Sequence, residues 1–164
     1  MAVTLDDDAR QYLATFEEVT GADGTDCILD GGWTDAADEG EDAGAGNGGS
    51  AGESTADRLI IVVASGQMGE AIGPEGRTIQ RFEDRVDLSV RLVENAADPE
   101  TFVANTLAPA AVYNVTISEN NDTVAYVEVA DADRGIAIGT NGRTIDAARR
   151  LAERHFDIDD IQLT

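Results

Sequence analysis

Residues 69–79 read GEAIGPEGRTI, and residues 135–145 read GIAIGTNGRTI. The second stretch repeats the first 66 positions on, with eight of eleven residues identical. Each copy holds Gly-x-x-Gly, as Gly73 and Gly76 and then as Gly139 and Gly142. Glycine tolerates the positive φ of a tight turn, and its missing side chain lets another backbone come close. A backbone turn that opens a helix presents free N–H groups, which suit phosphate oxygens. Arginine follows at once in both copies, as Arg77 and Arg143.

The flanks of the two loops match as well. Ala9, Tyr12, Leu13 and Phe16 recur at helical spacing and predict a helix over 5–20, with Thr4 as its cap and Gly21 as its end. DCIL (26–29) and RLIIVVA (58–64) predict strands, the second buried by its β-branched run. A short helix precedes the first loop, a helix over 77–85 follows it, and VDLSVRLV (86–93) predicts the next strand. Asp98-Pro99 opens a helix to about Leu107, with Asp at the cap and Pro at the first position. AVYNVTI (111–117) and TVAYVEVA (123–130) alternate as a hairpin around SENNDT. The second loop, a helix over 143–153 and a strand near 157–163 complete the chain. Each half thus reads helix, strand, strand, short helix, loop, helix, strand.

The 164 residues fit one ordinary domain or two small ones, and the repeat favours two. Between the first two strands lies an insertion, residues 31–57, with eight glycines, seven acids and no base. It is too poor in apolar residues to fold alone, and Trp33 is its one candidate for packing on the body. No apolar run is long enough to span a membrane, and MAVTLDDDAR lacks the form of a secretory signal. The single cysteine, Cys27, forms no internal disulfide, so a reducing, cytoplasmic setting is expected.

The net charge is −22, from 33 acids and 11 bases. Every base is arginine. The acids are scattered along a chain with clear apolar strands, which predicts adaptation to molar intracellular salt. There the Debye length falls to about 3 Å and self-repulsion is screened. Against that background, nine of the eleven arginines fall in 77–91 or 134–154. Those windows carry local charges of +1 (four Arg, three acids) and +3 (five Arg, two acids). Arg77, Arg81 and Arg85 recur at i, i+4 and i+8, near one helix face, and Arg149, Arg150 and Arg154 follow the second loop. Two readings stand side by side: phosphate contacts, or helix pairs with Glu83, Asp84, Asp146 and Glu153.

Ile-Gly-x-x-Gly between two helices, with strands around it, resembles a KH domain. A helix and a strand ahead of the core make it similar to the type II, prokaryotic version. With TGADGTDCIL, AIGPEGRTI, AIGTNGRTI and ERHFDIDDIQL, nearly the whole chain outside 31–57 resembles the archaeal NusA-like transcription factors. The resemblance implies an α+β fold of two tandem type II KH-like domains, 1–95 and 96–164, each a three-stranded sheet with helices packed on one face. It implies single-stranded RNA binding in transcription termination or antitermination, no catalysis and no cofactor. RNA polymerase is a further candidate partner, and a monomer is expected. A KH protein of ribosome assembly or RNA processing, and a polymerase adaptor with weak RNA affinity, are the alternatives.

In KH domains the loop clamps the backbone of about four nucleotides beside an apolar groove. Carried over residue by residue, the RNA-binding candidates are Ile72, Gly73, Pro74, Glu75, Gly76, Arg77 and Arg81 in the first half. In the second they are Ile138, Gly139, Thr140, Asn141, Gly142, Arg143 and Arg150. Ile79 and Ile145 are candidates for the grooves or for helix cores. The family usually has lysine after the first glycine, where this chain has Pro74 and Thr140. Glu75 faces the place of a phosphate, whereas Asn141 is neutral and can donate. The second domain is therefore expected to bind RNA more strongly. At high salt counterion release contributes little, so a shallow salt dependence is expected.

Other chemistries find no support. GAGNGG (44–49) is not a dinucleotide fingerprint, because no strand precedes it and no helix follows. His155 and Cys27 stand alone of their kinds, too few for a zinc site. Nothing marks a partner serine for His155, which is read as structural or as a phosphate neighbour.

Overall fold

The computed structural model describes residues 7–30 and 58–164, so the insertion with Trp33 and the proposed Thr4 cap lie outside the described residues. The fold is α+β with two three-stranded sheets. Helix α1 (Asp7–Thr20) buries Ala9, Leu13 and Phe16 along one stripe and ends at Gly21, whose φ is 74°. Strands β1 (Gly24–Asp30), β2 (Arg58–Val63) and β3 (Ser89–Glu94) form the first sheet in that order. β1 runs antiparallel to β2, and β3 runs parallel to it. Between β2 and β3 come α2 (Met68–Ile72) and α3 (Arg77–Val86), separated by the first loop.

The second half repeats the plan. Helix α4 (Pro99–Thr106) starts as the sequence predicts: the Asp98 carboxylate accepts the Thr101 amide at 2.8 Å, and Pro99 needs no partner for a missing N–H. Strands β4 (Val112–Glu119), β5 (Thr123–Val129) and β6 (Asp160–Leu163) pair in the same order and directions. α5 (Arg134–Ile138) and α6 (Arg143–Phe156) flank the second loop. Even the irregularities correspond: β1 bulges between Gly24 and Asp26, and β4 between Val112 and Asn114. No described helix is long and apolar enough to cross a membrane.

Several boundaries differ from expectation, and two of them lie at helix ends. The residues after the first loop stay helical through Val86, which packs on the core, and Asp87 ends the helix at φ 57°. α6 extends to Phe156 because that ring packs against core residues on both sides, and Asp157 stops it at φ 55°. Each C-terminal aspartate adopts the left-handed conformation that Asp and Asn tolerate best.

The expectation of helices on one face holds for the second sheet and needs correction for the first. In β5, Ala125, Val127 and Val129 are buried against α4, α5 and α6, while Tyr126 and Glu128 are exposed. In β2 every residue from Leu59 to Val63 is buried. Leu59, Ile61 and Val63 face Leu13, Phe16 and Phe82 of the first half, where the two phenyl rings meet edge to face at 5.3 Å. Ile60 and Val62 point the other way, onto Phe102 of α4 and Ala147 and Leu151 of α6. The second half therefore covers the back of the first sheet. A continuous apolar strand is what burial on two faces demands, and an alternating one is what a single buried face permits.

Candidate nucleic-acid interface

The two loops have the same backbone. Gly73 has φ 74° and ψ 175°, and Gly139 has 78° and 171°. Glu75 (56°, 24°) matches Asn141 (56°, 27°), and Gly76 (73°, 14°) matches Gly142 (76°, 12°). Each loop closes with the amide of its second glycine on the carbonyl of its first, at 3.1 Å. The remaining differences between the loops are side chains.

The two glycines of each loop answer different needs. A Cβ on Gly73 would lie 2.0 Å from Thr78 Oγ1, and one on Gly139 would lie 2.4 Å from Thr144 Oγ1. The first glycine thus lets the following helix turn its threonine under the loop. A Cβ on Gly76 would meet nothing within 4 Å, so only its positive φ calls for glycine. That open side is where a ligand has room to approach the backbone. Thr78 and Thr144 escaped the candidate set, although both stand in the repeated Gly-Arg-Thr.

Side chains around the loops divide by exposure. Ile72 and Ile138 are each 39% exposed, ending the helices that lead into the loops. Ile145 is buried in the second core, and Ile79 packs against the first, so these two belong to the core reading. Pro74, Glu75 and Arg77 are exposed, as are Thr140 and Asn141, while Arg143 is half-buried at the start of α6. Arg81 is exposed one turn beyond Arg77.

Much of the arginine cluster performs structural tasks. Arg150 donates to the Leu29 carbonyl at 2.7 Å, which ties α6 to β1. Arg149 pairs with Asp146 and Asp160 and donates to the Ile161 carbonyl on edge strand β6. Arg91 donates to the carbonyls of Thr106 and Ala108, tying β3 to the end of α4. Arg85 lies 3.4 Å from Glu18. Arg154 and His155 converge on Asp26, which is fully buried on β1. Burial pushes the Asp26 carboxyl up, but hydrogen bonds from His155, Arg154 and the Cys27 amide outweigh it and hold it below its ordinary value. His155 also packs its ring against Phe102 at 5.0 Å, so its role is structural.

The loops differ most at one pair. In the first, Arg77 Nη2 lies 3.0 Å from Glu75 Oε2. In the second, the position of Glu75 is Asn141, which offers no carboxylate. A second charge difference lies further along each helix. Glu83 accepts the Val90 amide of edge strand β3, and Arg149 stands 66 positions on.

Comparison with known proteins identifies the family. Residues 99–164 match the model of the NusA-like second KH domain, from the first residue of α4 to the end of the chain. The probable transcription termination protein NusA of Halococcus morrhuae is 51% identical over 163 residues, covering 99% of both chains. The chain belongs to the NusA family. The protein of the same description from Halobacterium salinarum is 47% identical over 164 residues, covering 100% of each. Both NusA relatives come from halophilic archaea, as the charge balance leads one to expect. The crystal structure of APE1850 shares the fold at a TM-score of 0.72 and 24% identity, covering 98% of this chain and 100% of that one.

Proposed function

We propose that this protein is a single-stranded RNA-binding factor of transcription termination, built from two tandem type II KH domains over 1–95 and 96–164. The observation that carries the reading is the duplicated loop: two turns of one backbone geometry, each opening a helix and followed by arginine. In this reading Gly76 leaves the first loop's backbone open to a sugar-phosphate chain, while at Gly142 the Asp146 carboxylate lies 3.5 Å from where a Cβ would stand. Arg77, Arg81 and Arg143 supply charge, and Ile72 and Ile138 supply apolar surface for bases. KH loops grip about four nucleotides in this way. Arg150 is a further candidate, exposed at the surface while one of its amino groups donates to the Leu29 carbonyl. RNA polymerase remains a proposed partner. The test is crosslinking at native salt with sequencing of the bound RNA. Recovery of nascent transcripts near termination sites supports the reading, and recovery of ribosomal RNA alone overturns the role in termination.

A further inference from the structure

We infer that Glu75 is a built-in competitor of RNA at the first loop, holding Arg77 in the place of a phosphate. The inference rests on the KH reading above and deepens it. Arg77 Nη2 and Glu75 Oε2 are 3.0 Å apart, within one loop and two residues from each other. A carboxylate and a phosphate are alternative acceptors for the same guanidinium fork. A phosphate that takes the Nη2 edge of Arg77 must therefore displace Glu75.

The backbone argues that the glutamate is out of place for local reasons. Four non-glycine residues have positive φ among the described residues: Glu75, Asp87, Asn141 and Asp157. They form two matched pairs across the repeat. Asn and Asp suit that conformation better than glutamate does. At φ 56° the second loop carries Asn141 and the first carries Glu75. Local conformation alone would favour asparagine in both, so the position of the carboxylate needs another reason, and its contact is Arg77. Strain at a loop that touches a ligand is a pointer to function.

The pair is exposed on both sides, with side chains 78% and 70% accessible, so it is a weak latch and not a permanent block. Salt screens it. The first loop is then a clamp with a salt-sensitive guard at Glu75, a position that holds neutral Asn141 in the second loop.

Fluorescence anisotropy with a labelled single-stranded RNA pool of about 12 random nucleotides, enough for both loops, tests this on the full chain. The variants are Glu75→Asn, Glu75→Asn with Arg77→Ala, and Thr140→Asp/Asn141→Asp with and without Glu75→Asn. Glu75→Asn is expected to tighten binding by roughly threefold or more at low salt, and by less near molar salt. Adding Arg77→Ala should cancel the gain. Thr140→Asp/Asn141→Asp should weaken binding, and Glu75→Asn should recover part of it. If the second-loop variant weakens binding while Glu75→Asn changes nothing, the competitor is disproved and the clamp reading stands. A gain that survives Arg77→Ala also overturns the inference, because it does not pass through the guanidinium. If neither loop responds, the clamp reading falls and the inference with it.

Discussion

Asp26 on β1 and Arg154 on α6 stand 128 positions apart and meet as an ion pair, with Nε 2.7 Å from Oδ2 and the carboxylate fully buried. The pair joins the first sheet to the helix that starts at the second loop. His155 takes the same carboxylate oxygen at 2.8 Å, so one aspartate holds two consecutive residues of α6. The orientation of the two loops relative to each other depends on this junction, together with the Ile60, Val62, Phe102 and Leu151 contact.

Removing the carboxylate should therefore loosen the molecule at its centre. Asp26→Ala removes the carboxylate that Arg154 and His155 share and is expected to cost roughly 3–5 kcal/mol, the usual range for breaking a buried ion pair from one side. Denaturant unfolding in molar salt measures it. A loss below about 1 kcal/mol, the level of a surface pair, would contradict the junction's role.

Acid should act through the same group. The folded-state pKa of Asp26 lies below its unfolded value of about 3.9. The unfolded chain therefore takes up the proton first as pH falls. The contribution of Asp26 is complete above about pH 5 and is lost as pH drops through the folded pKa. Stability curves of wild type and Asp26→Asn should converge on acidification. Parallel curves down to acid unfolding would show that the carboxylate does not drive this loss.

The glycines of one loop should not respond alike. Gly76→Ala places a Cβ in the left-handed region, at about 1–2 kcal/mol, whereas Gly73→Ala and Gly139→Ala place one at positive φ with ψ of 175° and 171°, a region essentially confined to glycine, at about 1–3 kcal/mol. Gly73→Ala and Gly139→Ala add the overlap with Thr78 or Thr144. Thermal melts should rank both as more damaging than Gly76→Ala. In the Gly73→Ala background, Thr78→Ala should recover part of the loss.

Isoleucines near the second loop should separate stability from binding. Ile145→Ala empties a buried site and is expected to cost about 2–5 kcal/mol. Ile138→Ala alters a side chain that is 39% exposed, so its stability cost should stay near or below about 1 kcal/mol. Its effect should appear in the RNA titration instead. An Ile138→Ala protein with unchanged affinity would remove that residue from the interface.

What could be read without coordinates was what is local. Gly-x-x-Gly specifies its own turn, because positive φ is a property of single residues. Asp98-Pro99 specifies its own cap. Period two in TVAYVEV and the unbroken RLIIVV even carried the difference between a sheet covered once and a sheet covered twice, although helices on one face were expected for both. The arginines were harder. Their clustering was visible, but Arg149, Arg150 and Arg154 differ in partners that lie on other strands, and spacing along a helix does not reveal them.

The repeat, the turn geometry and the charge asymmetry of the two loops were thus determined by the sequence itself. Tertiary structure alone decided that Asp26 would meet Arg154, that Arg150 would serve the junction, and that Glu75 would close on Arg77. Those outcomes depend on where side chains far apart in the chain, or free to rotate in a loop, find their lowest-energy partner. The first two required the back of the first sheet to be buried against α4 and α6, a contact that hydrophobic area drives and that short-range pattern only permits.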